Sequence, residues 1–436
     1  MAALEPAATR RRRPLRGSGV TSPPGVGDRP VLAMVESNTT GTGRMFAVAA
    51  RSRGLRPVLL GRRPERYRWV AEDGVEAARA DTTDPESVVA VARAVAGPAG
   101  VAGVVTSSEY FVAVAARAAR RLRLPGADPA AVDRCRDKRR QRAALAGAGI
   151  PVPAWAAAGT PQAAVAAAAA IGYPVVVKPA DGTGSRGVRL CGDAAEVLGH
   201  TGALLTVGRD ERGHPSLPAV LVEEYIAGPE FSVETFAMDV VGLTAKHLGP
   251  LPSFVETGHD FPAAPPEPAG AVARAAIAAL GLGFGPAHTE VRLGPRGPVV
   301  VEVNARLAGG RIPTLVRLAT GVDLIGATVD AVTGFDGGGR PLPEPGPGHA
   351  SIRFLVAEAA GRVRRTGGVA AAAAVPGVVD VAFSVRPGQH VGGTGSFLDR
   401  VGHVITAGPT AAAATIAADT ALAHLELDLD AAVGVA

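Results

Sequence analysis

The sequence has few lysines, few aromatic residues, few cysteines and no long apolar run. No stretch of about 18 uninterrupted apolar residues occurs, which excludes an ordinary membrane-spanning helix from our expectations. Aromatic residues make up 4% of the chain and lie apart from its basic runs, so a nucleic-acid stacking surface is not expected. The two cysteines, Cys135 and Cys191, form neither a disulfide framework nor a metal-binding spacing. We therefore expect a cytoplasmic protein without a membrane or nucleic-acid partner.

The chain contains three lysines against 42 arginines. A coding bias towards arginine would replace lysine wherever a positive charge alone suffices, so a retained lysine is expected to need a compact ammonium group. Lys178 ends an apolar run and precedes the glycine-rich segment 181–187. A point charge beside a flexible glycine loop suits nucleotide phosphates, whereas the alternative interpretation is a solvated surface lysine.

The first part of the chain predicts a parallel α/β domain over residues 30–126. Apolar strands at Val31–Val35, Pro57–Leu60 and Val101–Thr106 alternate with helical patterns. Residues 1–29 are rich in arginine and proline and are predicted to be a disordered extension. The turn containing Gly41 and Gly43 lacks the third glycine of a dinucleotide fingerprint. It is interpreted as a tight turn between strand and helix, with a role in holding a substrate as the alternative.

The middle and last parts of the chain predict α+β structure over residues 127–335 and 336–436. A helix is expected at 137–148, followed by three hairpins. The predicted strand pairs are Val175–Lys178 with Val188–Leu190, Val220–Tyr225 with Phe231–Met238, and Val291–Leu293 with Val299–Val303.

The third predicted hairpin has an acidic face. A turn centred on Arg296 places Glu290 opposite Glu302, His288 opposite Asn304, and Val291 opposite Val301. Val301 would then lie on the apolar face. Two opposed glutamates repel at a cost of up to about 1 kcal/mol. With the Asn304 amide they suit Mg²⁺ shared with phosphates; the alternative is a polar face neutralised by Arg292 and Arg306.

In their order along the chain, these motifs resemble the ATP-grasp superfamily of carboxylate–amine ligases over roughly residues 135–323. The resemblance implies an ATP-grasp fold between an N-terminal Rossmann-like domain and a C-terminal α+β subdomain. It also implies that ATP is held by two phosphate lysines, a mobile glycine loop and a hinge, with Glu223 and the 225–226 backbone at the adenine and Glu230 at the ribose. The matching residues are Lys138 and Lys178, then Gly182, Thr183, Gly184, Ser185 and Gly187, then Glu223, Tyr225, Ile226 and Glu230.

The same resemblance implies roles for the acidic hairpin and for the residues that follow it. Glu290, Glu302 and Asn304 match the ligands of Mg²⁺, with Mn²⁺ as an alternative ion. Arg306 matches the arginine that steadies the acyl phosphate and the oxyanion, and Arg311 is expected to assist it.

Within the superfamily, segments 288–290 and 302–310 resemble the L-amino-acid ligase branch, and segment 35–43 resembles ligases of antibiotic pathways. Lys246, His259 and His288 then fall at the expected substrate pocket, although His259 as an ordinary loop histidine is the alternative. The resemblance implies an ADP-forming enzyme that joins a small acid, expected to be an amino acid, to an amine, and it implies a homodimer.

Two other functions stay open from the sequence. In the first, a carrier-protein thiol replaces the amine and docks on Arg62, Arg63, Arg66 and Arg68. In the second, the protein is a nucleotide-binding regulator without turnover.

Overall fold

The N-terminal domain is a parallel sheet with helices packed against it. The computed structural model describes residues 29–38, 41–210, 212–264, 268–335 and 348–431, so nearly all of the predicted extension lies outside the described residues. The sheet order is β3-β2-β1-β4, as predicted for a parallel α/β domain. The elements are β1 (Val31–Val35), α1 (Thr42–Arg51), β2 (Arg56–Gly61), α2 (Arg68–Glu72), β3 (Glu76–Arg79), α3 (Pro85–Ala96), β4 (Val101–Val105) and α4 (Val112–Leu122).

Several helices begin with a polar capping residue followed by proline. Asp84 accepts hydrogen bonds from the backbone of Glu86 and Ser87 at the start of α3. Asp128 and Thr160 cap the next two helices that begin with proline. The side-chain oxygen satisfies a free backbone N–H, and proline costs nothing at the first helical position because its missing N–H would have no partner there.

The middle of the chain forms a small antiparallel sheet of order β5-β8-β6-β7, covered by two helices. β6 and β7 pair directly, so the first predicted hairpin is confirmed. The elements are α5 (Pro129–Arg136), α6 (Lys138–Gly147), β5 (Trp155–Ala158), α7 (Pro161–Ile171), β6 (Val175–Pro179), β7 (Arg189–Cys191), α8 (Ala194–Thr206) and β8 (Val220–Glu224).

A second antiparallel sheet has eight strands in the order β13-β12-β9-β10-β11-β14-β18-β16. It includes strands from both sides of the predicted boundary between residues 335 and 336, because β11 pairs with β14. The C-terminal module thus extends the central sheet and adds a small sheet of order β17-β15-β19. The elements are β9 (Glu230–Phe236), β10 (Asp239–Leu248), β11 (Glu256–Phe261), α9 (Ala269–Leu280), β12 (Pro286–Gly294), β13 (Gly297–Asn304), α10 (Ile312–Thr320), α11 (Leu324–Thr333), β14 (His349–Val356), β15 (Gly361–Gly367), α12 (Val369–Ala373), β16 (Val378–Phe383), β17 (His390–Val391), β18 (Arg400–Gly408), α13 (Ala411–Leu422) and β19 (Glu426–Ala431).

The second predicted hairpin is wrong. β8 pairs with β5 and β6 in the small sheet, whereas β9 pairs with β10 and β12 in the large one. The connection through 225–229 therefore crosses from one sheet to the other. The segment 225–229 thus links the small sheet to the large one.

The acidic hairpin has the predicted register only near its open end. Glu290 lies opposite Glu302, but beyond this pair the register shifts by one residue, so that Val291 pairs with Val300. Val301 is the extra residue of a β-bulge, a feature that bends a strand and redirects a side chain. Val300 is fully buried in the core under α9, whereas Val301 is half-buried on the same side as Glu302. The prediction that Val301 lies on the apolar face is therefore wrong.

Several hydrophobic cores hold the sheets and helices together. The largest joins β1 and β2 of the N-terminal domain to α10, α11 and the strands β11 and β14. A separate core fills the small sheet and its helix α7 with alanine and valine side chains. Within the described part of the chain, no helix combines the length and apolar character needed to cross a lipid bilayer.

The bulge predicts that a valine-to-threonine substitution lowers the free energy of unfolding more at Val300 than at Val301. Val300→Thr should lower the free energy of unfolding by about 1–3 kcal/mol, because its hydroxyl would be buried without a partner. Val301→Thr should lower it by less than about 0.5 kcal/mol, because the hydroxyl can reach water. Chemical denaturation of both variants measures the difference, and the opposite ranking would indicate the unbulged register.

Candidate active site

A cavity of about 390 Å³ lies where the N-terminal domain, the two sheets and the C-terminal module meet. Each of these parts contributes polar side chains to its wall. The lining includes Asn38 and 107–110 from the N-terminal domain, Lys178 and 183–185 from the small sheet and its loop, Glu230, Lys246, Glu256, His259, His288, Glu290, Glu302, Asn304 and Arg306 from the large sheet and the segment after it, and Phe397, Leu398 and Arg400 from the C-terminal module.

The acidic hairpin forms one wall of this cavity. His288, Glu290, Glu302 and Asn304 all line it, which confirms the predicted polar face. Burial and the neighbouring Glu302 raise the pKa of Glu290 to about 7, although Lys246 opposes the rise. Burial also acts to raise the pKa of Glu302, but Lys138 and Lys178 outweigh it and lower the value. The cations that act on Glu290 and Glu302 therefore come from elements other than β12 and β13.

Lysines, rather than the arginines of the alternative interpretation, supply positive charge beside the two glutamates. Lys246 Nζ lies 2.8 Å from Glu290 Oε1, and Lys138 Nζ lies 3.3 Å from Glu302 Oε1. Arg306 instead pairs with Glu109, and Arg292 lies 3.8 Å from Glu230. The alternative in which Arg292 and Arg306 neutralise the two glutamates is therefore wrong.

Lys246 is the centre of a buried carboxylate cluster. Its ammonium group lies 2.7 Å from Glu230, 2.8 Å from Glu256 and 2.8 Å from Glu290. Burial alone would lower the pKa of Lys246, but the three carboxylates raise it well above its ordinary value. The lysine therefore stays charged and holds β9, β11 and β12 together at the cavity.

A second buried cluster links the small sheet to α6. Lys178 Nζ lies 2.6 Å from Glu223 Oε2, and Arg142 Nε donates to Glu223 Oε1 at 2.7 Å. All three side chains are almost fully buried. Burial lowers the pKa of Lys178, whereas the two cations together lower the pKa of Glu223 against the effect of burial. The carboxylate of Glu223 is thus already engaged by cations, and both Glu223 and Ile226 line the cavity.

The glycine loop closes over the cavity and contacts three other elements. Lys138 Nζ donates to Gly182 O at 2.9 Å, and the backbone N–H of Phe397 donates to Gly184 O at 3.3 Å. Gly184 has a φ of 67°, and a side chain there would collide with the ring of Phe397. Gly187, with a φ of 66°, would collide with Leu204 in the same way. These positions therefore require glycine for both backbone conformation and space.

Arg306 joins the glycine loop to the N-terminal domain. Its guanidinium pairs with Glu109, and Nη2 donates to Thr183 Oγ1 at 3.3 Å. Arg136 lies 2.9 Å from the same carboxylate. Burial would raise the pKa of Glu109, but the two arginines lower it to about 2. Sequence reasoning missed Glu109, and the available signal was its position just after the last strand of a parallel sheet.

The two predicted substrate histidines are both buried. His259 lies on β11 rather than in a loop, and its Nε2 is 3.2 Å from Glu256. His288 Nδ1 donates to Arg306 O at 3.0 Å, which leaves Nε2 for the cavity. Burial, aided by Arg306, lowers the pKa of His288 to about 4, so the ring is neutral near pH 7.

Some predicted site residues do not line the cavity. The described lining does not include Lys138, Gly182, Gly187, Tyr225 or Arg311. Lys138 contacts Glu302, which does line the cavity, and it donates to Gly182 O, while Tyr225 packs near Phe254. Arg311 is the residue before α10, and its guanidinium approaches Gly41. The structure therefore places Arg311 outside the cavity wall.

The donor set fits a magnesium ion shared with phosphate oxygens. Glu290, Glu302 and Asn304 offer two carboxylates and an amide oxygen on one wall. Among the described residues no group of three or more acidic, histidine or cysteine side chains forms a self-sufficient metal cage. Mg²⁺ is commonly held by one or two carboxylates plus substrate phosphates, so two are enough.

Three domain-family profiles match successive parts of this chain. The ATP-grasp N-terminal domain matches residues 47–126, and the ATP-grasp domain matches residues 171–314. The L-amino acid ligase C-terminal domain 2 matches residues 353–430.

Individual proteins show similarity over different lengths. The uncharacterized protein y4rH of Sinorhizobium fredii is 39% identical over 390 residues, covering 88% of this chain and 80% of that protein. Carnosine synthase 1 of Gallus gallus is 32% identical over 219 residues, which are 47% of this chain but 23% of that protein. The crystal structure of L-amino acid ligase from Bacillus licheniformis superimposes with a TM-score of 0.73 at 24% identity, covering 92% of this chain and 99% of that one. This last similarity establishes the shared fold.

The buried Glu223 cluster predicts a large contrast between adjacent glutamates. Glu223→Gln should lower the free energy of unfolding by about 3–5 kcal/mol, because it leaves buried cations without their carboxylate. Glu224→Gln should lower it by about 0–1 kcal/mol, because its partner Arg296 is exposed. Chemical denaturation of the two variants tests this, and equal midpoints would contradict it.

Proposed function

Because the chain belongs to the ATP-grasp family of carboxylate–amine ligases, we propose that it activates a small carboxylic acid with ATP and joins it to an amine. The expected acid is an amino acid, so that the product is an amide or a dipeptide. The observation that carries the proposal is the position of Arg306. It contacts the glycine loop through Thr183, follows the acidic hairpin directly, and reaches Glu109 of the N-terminal domain. Nucleotide, metal and substrate groups would all converge on this guanidinium.

The cleft between the two sheets is suited to ATP. Val176, Ile226 and Val301 provide apolar walls for the adenine, next to the backbone of the hinge. Glu230 is paired with Lys246, and its carboxylate can also accept hydrogen bonds from the ribose hydroxyls. Lys138, Lys178 and the loop 182–187 lie where they can neutralise and enclose the phosphates. Glu290, Glu302 and Asn304 would hold Mg²⁺, which would neutralise charge on the β- and γ-phosphates.

The proposed chemistry has two transfers. A substrate carboxylate oxygen attacks the γ-phosphorus, the bond to the β-phosphate oxygen breaks, and ADP and an acyl phosphate result. The amine then attacks the acyl carbon, loses a proton, and expels inorganic phosphate to leave an amide. Arg306 can stabilise both the acyl phosphate and the oxyanion that develops on its carbonyl oxygen. The closed glycine loop keeps water from the acyl phosphate.

The four arginines of the carrier-protein alternative are all exposed, although Arg66 also lines the cavity and Arg68 lies 3.8 Å from Glu72. The similarity to carnosine synthase 1 and the match to the L-amino acid ligase C-terminal domain 2 favour the amine acceptor over a carrier-protein thiol. A regulator without turnover would not need the converging groups at Arg306.

Isotope labelling tests the proposed reaction. Pairs of amino acids are screened for ADP release, and an active pair is repeated with ¹⁸O in the carboxylate. One labelled oxygen should appear in inorganic phosphate, with an amide detected by mass spectrometry. Label in AMP would contradict acyl-phosphate formation, and labelled phosphate without an amide would favour a thiol acceptor.

A second prediction concerns coupling of ATP cleavage to product. Phe397→Ala should remove the ring against Gly184 and loosen the closed loop, so that water hydrolyses more of the acyl phosphate. The ratio of ADP to amide should rise above that of the wild type. Leu398→Ala is the matched control, because Leu398 lines the same cavity but has no described bond to the glycine loop. An unchanged ratio in Phe397→Ala would show that the contact does not protect the intermediate.

A further inference from the structure

The cavity extends to the carboxyl ends of two strands in the N-terminal sheet. In the order β3-β2-β1-β4, the chain leaves β1 towards β2 on one side and returns to β4 on the other. Ligands of open α/β sheets bind in the crevice at such a switch point. Asn38 follows β1 and Ser107 and Ser108 follow β4, and all three line the cavity. The backbone N–H of Asn38 donates to Ser107 Oγ at 3.1 Å, which closes the floor of this crevice.

Two arginines from different domains face the crevice. Arg66 ends the short 3-10 turn Pro64–Arg66 after β2, and Arg212 comes from the segment between α8 and β8. Arg212 is held in place, since Nη1 donates to Tyr67 Oη at 3.0 Å and Nη2 donates to Ser37 O at 2.9 Å. Its guanidinium also lies 6.0 Å from the centre of the Phe111 ring.

The charges of these two arginines are not neutralised by a direct partner. Within the residues that the structure describes, neither guanidinium forms an ion pair with a carboxylate. Glu36 lies behind Tyr67, but its oxygens are taken by Tyr67, Thr82 and the backbone of Arg62. By contrast, Glu109 neutralises the arginines on the other side of the crevice, including Arg306. Asp210 accepts a hydrogen bond from the backbone N–H of Arg212 and supplies one negative charge here, against the two guanidinium groups of Arg66 and Arg212. This end of the cavity is therefore positive.

We propose that the crevice binds an anionic group, a carboxylate or a phosphate, of the amine substrate. The inference rests on the proposed ligase function and specifies its acceptor. The carboxylate of the acid substrate reacts beside Arg306 to become the acyl phosphate. An anion bound in the crevice, on the other side of Glu109, therefore belongs to the amine substrate. With its anion at Arg66 and Arg212, the acceptor would direct its amine towards the acyl carbon at Arg306. Arginine suits this task because its planar donors match the paired oxygens of either anion.

Steady-state kinetics with matched acceptors tests the proposal. The probes are the common L-amino acids, their α-amides and O-phosphoethanolamine, and the variants are Arg212→Gln and Arg66→Gln. The KM for acceptors that bear the anion should rise about ten- to hundredfold while the KM for ATP is unchanged. Turnover of amino acids but not of O-phosphoethanolamine assigns a carboxylate, and the reverse assigns a phosphate. Amides that react as well as the acids, or unchanged acceptor KM values, would overturn the proposal.

Matched controls separate charge from structure. Arg209→Gln alters the same segment as Arg212, and Arg68→Gln alters the segment of Arg66, but neither residue is among the described lining residues. Both controls should keep wild-type acceptor KM values. Arg212→Lys retains a positive charge and should regain part of the lost affinity. A general loss of folding in Arg212→Gln would lower the apparent kcat with acids and amides alike and leave the KM values unchanged, whereas the proposal expects a higher KM for the anionic acceptors alone.

Calorimetry distinguishes failure of this inference from failure of the ligase reaction. The same probes are titrated into wild type and Arg212→Gln, both saturated with a non-hydrolysable ATP analogue. Each probe is also incubated with wild type, ATP and the acid substrate to detect an amide. Arg212-dependent binding of an anionic amine in the titration, with no amide formed from ATP, would retain the site and overturn the reaction. Amide formation from ATP and acceptors that bind equally well to both proteins would retain the reaction and overturn the site.

Discussion

The cavity depends on the neutralisation of carboxylates that the folded chain buries side by side. Glu290 and Glu302 face each other across a hairpin, and Glu230 and Glu256 lie near enough to share Lys246. An unpaired buried charge costs several kcal/mol, so each carboxylate needs a cation at a fixed place. The lysines meet this requirement and thereby fix the relative positions of α6, β6, β10 and the acidic wall. The electrostatic constraint is thus also a geometric one.

The two antiparallel sheets supply different groups to this site. The small sheet supplies Lys178 and the glycine loop, and the large sheet supplies the acidic wall. The segment after β8 crosses between them, and Arg306 and Phe397 secure the loop from the opposite side. Residues more than two hundred positions apart, such as Gly184 and Phe397, meet because the large sheet continues into the C-terminal module. That module therefore forms part of the cavity wall.

Local patterns predicted much of this architecture. Apolar runs that alternate with helical patterns were sufficient to predict the parallel sheet, and apolar runs on either side of the glycines were sufficient for the first hairpin. Alternation of apolar and polar residues predicted the polar face with Glu290 and Glu302. Alternation could not reveal the bulge at Val301, because Val299, Val300 and Val301 are all valine and the pattern does not show which of them faces the core. Packing of β13 against α9 decides that Val300 is buried. Nor could alternation show that β8 and β9 belong to different sheets, since strand order is a property of tertiary contacts. Glu109 and the true partners of Arg306 were missed for the same reason, because their pairing spans distant segments.

The burial of the lysines affects how this protein meets its chemical surroundings. Lys138, Lys178 and Lys246 are 6%, 3% and 9% exposed, and the sequence contains no other lysine. The folded surface consequently offers no side-chain amine to acylating metabolites, to acetyl or ubiquitin transfer, or to amine-directed cross-linkers. Its positive charge is carried by guanidinium groups, which do not react in this way near neutral pH. Any amine-specific label that does enter a side chain would therefore report on the interior of the cavity region and not on the outer surface.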